Sequence, residues 1–152
     1  MNPKKIKIGC ASAFWGDTSS AARQLVEKGD IDYLVSDFLA EMTMSILAGS
    51  KKNNPKMGYA TDFIDQLSPL LETIKSKKIK VISNAGGVNL NSCKEALEKI
   101  AHTLGLALNI ATIAGDDLMS KKNELMGLNI KEMETDEELP DNLCLLYTSD
   151  AA

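Results

Sequence analysis

Histidine and aromatic residues are scarce in this sequence, and each scarcity closes off a class of function. The 152 residues include one histidine, three cysteines and four prolines, and 5% are aromatic. A single histidine, His102, leaves no imidazole cluster for a metal and no Ser-His-Asp or Cys-His pairing to assemble. His102 shares a helix face with Glu95, Glu98 and Lys99, which reads as a solvated position. Cys10, Cys93 and Cys144 follow no metal or disulfide spacing, as in a reducing cytosol. There is no basic excess either: 17 Lys and Arg stand against 21 Asp and Glu, for a net charge of -4. No phosphate-neutralising stripe exists, so nucleic acid and anionic membranes are not expected partners. No apolar run reaches membrane-spanning length, and Met1-Asn2-Pro3-Lys4-Lys5 leads into a short strand rather than a signal sequence. The expectation is a cytoplasmic protein.

What is present is an ordinary globular composition, 44% hydrophobic and 25% charged, enough for one domain with a core. Lys5 to Ala13 reads as a buried first strand. A helix capped by Thr18 or Ser19 follows, with Ala21, Ala22, Leu25 and Val26 on one face and Gly29 as its stop. Ile31 to Ser36 is a second strand, and Asp37 is placed to cap a helix whose inward face is Phe38, Leu39, Met42, Ile46 and Leu47. Ser50 to Gly58 reads as a loop. Tyr59 to Lys77 is helical, with a kink or restart at Pro69 and Ser68 as cap. Lys80 to Ser83 opens the third strand, Asn91 to Leu104 is the clearest helix, and Leu106 to Ala114 reads as a fourth strand before Gly115-Asp116-Asp117. A short helix over Leu118 to Met126 and an acidic loop over Met133 to Glu138 follow. Strand and helix patterns alternate. They predict a Rossmann-like three-layer αβα domain with a mainly parallel sheet and helices on both faces.

Such sheets bind ligands at the carboxyl ends of their strands, which directs attention to the residues that follow each one. Asn84-Ala85-Gly86-Gly87-Val88-Asn89 joins a β-branched strand to a helix. Gly86 and Gly87 would let backbone amides approach a ligand, with Asn84 and Asn89 as polar contacts. The same turn also serves as a plain connection in which Asn89 or Asn91 caps the helix. No G-x-G-x-x-G or Walker spacing is present, which counts against a dinucleotide site. Asp37 and Glu41, four apart, would share one face of a helix and act as acid and base or hold a divalent cation. The plainer alternative is an N-cap and a dipole-favoured acid. Asp116 and Asp117 would project at the same edge, or Asp117 would cap the next helix. Trp15, Gly16 and Asp17 finish the first strand's loop, where Trp15 would stack on a ligand or sit half-buried in the core.

Four of these stretches together carry a resemblance. Gly9 to Asp17, Asp32 to Thr43, Asn84 to Asn89, and Ala114 to Leu118 come in the order and spacing of the acyclic terpene utilisation (AtuA-like) family, over roughly Lys5 to Met119. The resemblance implies a part in the breakdown of acyclic terpenes such as citronellol and geraniol, or of related branched acids. An amide-lined pocket with carboxylates suits proton transfer next to a thioester carbonyl, so a lyase or hydratase acting on a branched acyl-CoA is the expected enzyme. A non-catalytic ligand-binding or assembly subunit of the same pathway is the alternative. On this reading Asp37, Glu41 and Asp116 are catalytic, and Trp15, Gly16, Asp17, Asn84, Gly86, Gly87, Asn89 and Asp117 contact the ligand. An acyl-CoA is the substrate class, and a homo-oligomer or partner subunit the expected association. Family members are longer, so residues 1–142 read as the opening part of one, with exposed apolar surface expected. Residues 143–152 resemble translated sequencing-adapter read-through.

Overall fold

The computed structural model describes residues 5–148. The basic Met1 to Lys4 and the last four residues of the suspected tail lie outside them. Two compact units are present, Met1–Thr112 and Ile113–Ala152.

The first unit contains β1 (Ile8–Ser12), α1 (Ala21–Lys28), β2 (Tyr33–Ser36), α2 (Glu41–Asn53), α3 (Thr61–Leu67), α4 (Leu71–Lys77), β3 (Lys80–Ser83) and α5 (Leu90–Thr103). The strands form a parallel sheet in the order β1-β2-β3, so the α/β class is as expected. Parallel neighbours need crossovers, and the helices supply them. Gly29 ends α1, its N–H donating to the Leu25 carbonyl at 3.0 Å. Pro69 sits in a short 3-10 turn over Ser68–Leu70, between α3 and α4, which is the expected restart. Ser68 does not cap it, because its hydroxyl donates back to the Ile64 carbonyl at 2.5 Å. The Lys77 ammonium donates to the Val26 and Glu27 carbonyls at 2.6 and 2.8 Å, satisfying the end of α1.

Alternation along each strand separates two faces. Gly9, Ala11, Leu34 and Ser36 are buried, and Ala11 and Leu34 join Val26, Phe38, Phe63, Leu67, Leu70, Ile74 and Leu97 in one core. Phe38 and Phe63 meet edge to face at 5.8 Å. The opposite face carries Ile8 at 66% exposure, Cys10, Val35 and Ile82 at 55%. Among the described residues the helical layer therefore covers one face, and the expected third layer is not formed over the other. The expected exposed apolar surface is found there.

Two more differences from the sequence reading have physical causes. Leu106 to Ala114 does not pair as a strand. Leu106, Leu108 and Ile110 pack on the core, so the alternation is real. The outward residues, however, are Ala107, Asn109 and Ala111, types that favour a pleated ladder poorly. Helix α2 runs to Asn53 and takes in the start of the expected loop, and it begins at Glu41 rather than after Asp37.

Cys93, on the buried face of α5, has its thiol pushed up to about 11 by burial. The folded state then keeps its proton while the unfolded chain ionises above the ordinary value of 9.0. Stability from this group is complete below about pH 9 and falls as pH rises towards about 11, at about 1.4 kcal/mol per pH unit. Cys93→Ala is expected to flatten that part of the curve in urea melts taken between pH 8 and 11.

The second unit holds a 3-10 turn over Met119–Lys121 and α6 (Lys122–Gly127). Asp117 bridges Tyr147 in antiparallel fashion. The Leu118 N–H donates to the Leu146 carbonyl at 2.8 Å, and the Thr148 N–H to the Asp116 carbonyl at 2.9 Å. Lys131 and Glu138 form a second bridge around the acidic loop.

Candidate functional site

Each strand of the sheet ends in serine, and the three are in register: Ser12 opposite Ser36, and Ser36 opposite Ser83. The sequence signal was the repeated ending in Cys-Ala-Ser, Leu-Val-Ser and Val-Ile-Ser; the sequence reading singled out none of these serines. A bulge makes the alignment possible. Cys10 pairs Val35 and Ser12 pairs Ser36, so Ala11 is an extra residue in β1. Simple alternation would put Ser12 on the open face with Ile8 and Cys10. The bulge turns it inward instead, and Ala11 and Ser12 are both buried.

Hydroxyls and one amide then tie the strand exits together. Ser12 Oγ donates to the Asp37 carbonyl at 2.9 Å, and Ser83 Oγ to the Ser36 carbonyl at 2.8 Å while accepting from the Ala85 N–H at 3.0 Å. Asn84 accepts from the Phe38 N–H at 2.8 Å and donates through Nδ2 to Asp37 Oδ1 at 2.7 Å. Asp37 Oδ1 also accepts from the Leu39 N–H at 3.1 Å. Asp37 and Asn84, 47 positions apart, are therefore brought together. Asp37 Oδ2 makes no hydrogen bond among the described residues.

Asp37 lies in the β2–α2 connection, and Glu41 is the first, exposed residue of α2. Their spacing therefore does not place them on one helix face. Asp17 closes the β1 exit, its Oδ2 accepting from the Ala13 N–H at 3.0 Å and its N–H donating to the Phe14 carbonyl at 3.2 Å. Trp15 is partly buried against the core. Gly16, with φ +88°, faces open space.

The glycine turn is tighter than a ligand cradle requires. A Cβ on Gly87, whose φ is +52°, would meet Leu47 Cδ1 at 2.5 Å and the Gly58 carbonyl oxygen at 2.8 Å. On Gly86 it would meet Leu90 Cδ2 at 2.4 Å. Asn89 caps α5 by accepting from the Ser92 N–H at 3.3 Å, and its amide donates to the Pro55 and Met57 carbonyls at 2.9 and 2.7 Å. Gly86, Gly87 and Asn89 thus have packing or capping duties in the fold. Asp116 and Asp117 belong to the second unit, where Asp117 Oδ1 accepts from the Met119 N–H at 2.9 Å and so opens the helical turn.

Among the described residues no three His, Cys, Asp or Glu side chains converge. No helix among them is long and apolar enough to cross a membrane.

A family model described as "Acyclic terpene utilisation family protein AtuA" matches residues 6–149. No curated protein and no solved structure matches the chain.

Proposed function

The chain belongs to the acyclic terpene utilisation AtuA family, and from that membership we propose that it binds a terpene-derived or branched acyl ligand at the carboxyl edge of its sheet. The observation that carries this reading is the state of Asp37. One carboxylate oxygen is fixed by two N–H donors, while the other stays uncommitted where α/β sheets take their ligands. A carboxylate held this way has a defined direction without being consumed by its own fold. In the reaction we propose, a lyase or hydratase step on an acyl-CoA, Asp37 Oδ2 moves a proton at the carbon next to the thioester carbonyl. Glu41, the exposed first residue of α2, is the second carboxylate of this reading. The Asn84 amide holds Asp37 in orientation.

Turnover of branched acyl-CoA thioesters tests this. Asp37→Asn keeps the shape of the side chain and removes the acid–base group, so kcat is expected to fall about 100-fold or more with little change in melting temperature. Equal rates for Asp37→Asn and the parent would overturn the catalytic role.

A second reading is a non-catalytic binding or assembly subunit. It is favoured by the commitments of Gly86, Gly87 and Asn89, which the protein spends on packing and capping rather than on ligand contacts. Thioesters that bind without turnover would select it.

A further inference from the structure

The face of the sheet that the helices leave open is built like an interior. A sheet with one solvated face carries polar residues there, whereas parallel sheets are apolar on both sides because both are covered. Strand register sets the outward side chains in two rows, Ile8, Tyr33 and Lys80, then Cys10, Val35 and Ile82. Ile8 is 66% exposed and Ile82 55%. Ile6, two residues before Ile8, continues the alternation and is exposed as well. Lys80 is the one charged residue in the rows, and its ammonium lies over the Tyr33 ring, 5.4 Å from the centroid. Single exposed apolar residues are ordinary; a contiguous patch marks an interaction surface.

The charges at the two ends of the strands select the occupant. Residues 5–7, 30–32 and 78–80, which lead into the strands, carry Lys5, Lys7, Lys78 and Lys80 against Asp30 and Asp32. Lys7 and Asp30 neutralise each other as an ion pair. Residues 13–20, 37–41 and 84–89, which leave the strands, carry Asp17, Asp37 and Glu41, all exposed, and no lysine or arginine. The sheet is therefore basic where its strands begin and acidic where they end. A second copy laid face to face with its strands reversed sets each basic end on the other's acidic end. A two-fold axis between the sheets, running across the strands, generates that arrangement and brings the apolar rows together in the middle.

We propose that the open face docks a second copy of this chain in a closed two-fold dimer, with Ile8, Cys10, Val35 and Ile82 at its centre and Lys80 towards the acidic strand exits of the other copy. The face offers roughly 500 Å² per copy, less than the ~800 Å² per partner of a standard interface, so the dimer is weak, with Kd on the order of 10–100 µM. Dimerisation of this kind requires no ligand, so it holds or fails separately from the reading of the carboxyl edge.

The unaltered chain carries its own probe, because Cys10 lies in this face while Cys144, also exposed, belongs to the second unit. Sedimentation is measured from about 5 to 500 µM protein, and over the same range a bulky maleimide is reacted and the two cysteines are resolved by peptide mapping. The mass is expected to rise from monomer towards dimer, and the Cys10 rate, divided by that of Cys144, to fall about fivefold. Ile82→Lys puts a charge in the centre of the face and is expected to stay monomeric throughout, with a constant rate ratio. Lys80→Glu sets like charges together at each end, and is expected to weaken the dimer several-fold. A parent that remains monomeric at 500 µM would overturn the proposal, as would a dimer that leaves Cys10 as reactive as before. Growth past the dimer would contradict closed two-fold symmetry, and tighter association of Lys80→Glu would contradict the reversed strands.

Discussion

Gly87→Ala is expected to destabilise the protein by about 2–5 kcal/mol, more than most single-methyl changes. Two costs add. The backbone at Gly87 has φ +52°, a region that costs an L side chain about 1–2 kcal/mol. The new methyl would also lie 2.5 Å from Leu47 Cδ1 and 2.8 Å from the Gly58 carbonyl oxygen. Leu47 is 1% exposed and cannot swing away freely, and the carbonyl oxygen accepts the Val88 N–H at 2.9 Å. Overpacking of this kind costs about 1–3 kcal/mol. A urea melt checks the sum. A change below about 1 kcal/mol would mean that this turn relaxes easily and is looser than its contacts suggest.

Asn84→Ala is the second large effect, expected at about 2–4 kcal/mol. It removes the acceptor for the Phe38 N–H and the donor to Asp37 Oδ1. Phe38 is 1% exposed, so its amide would lose its partner where water reaches it poorly, and such an orphan costs about 1–3 kcal/mol. Losing the contact with a carboxylate adds to this. Asn84→Asp separates the two roles. It keeps an acceptor for Phe38 but sets a second carboxylate against Asp37. Like charges raise the pKa of one partner, so this variant should be weak at neutral pH and regain stability as pH falls through the raised value. Melting temperatures of the two variants between pH 4 and 8 check the contrast.

Much of the fold was legible because local signals and tertiary packing agree. Gly29 stops α1, Pro69 interrupts the α3–α4 segment, and the 3.6-residue pattern of Cys93, Leu97 and Ala101 lies on the buried face of α5. Leu106 to Ala114 misled because alternation reports one packed face and carries no information about a ladder partner. The third layer failed for a related reason: apolar β1 and β3 residues signal a sheet, but only the assembled chain shows which face the helices reach.

At the candidate edge the residues were legible, and their partners less so. The expected edge is where Asp37 and Asn84 meet, 47 residues apart, a pairing that no local pattern encodes. Gly86 and Gly87 read as a cradle because glycine permits close approach; the atoms that approach are Leu90, Leu47 and the Gly58 carbonyl. The alignment of Ser12 with Ser36 depends on a bulge in β1, which strict alternation does not reveal.

Amide hydrogen exchange, with and without branched acyl-CoA thioesters, tests the central claim most directly. Binding at the carboxyl edge should slow exchange in the segments 12–20, 36–41 and 83–91, and leave the amino ends of the strands near Ile8, Tyr33 and Lys80 unchanged. Protection confined to residues outside those three segments, or no protection by any thioester, would contradict it.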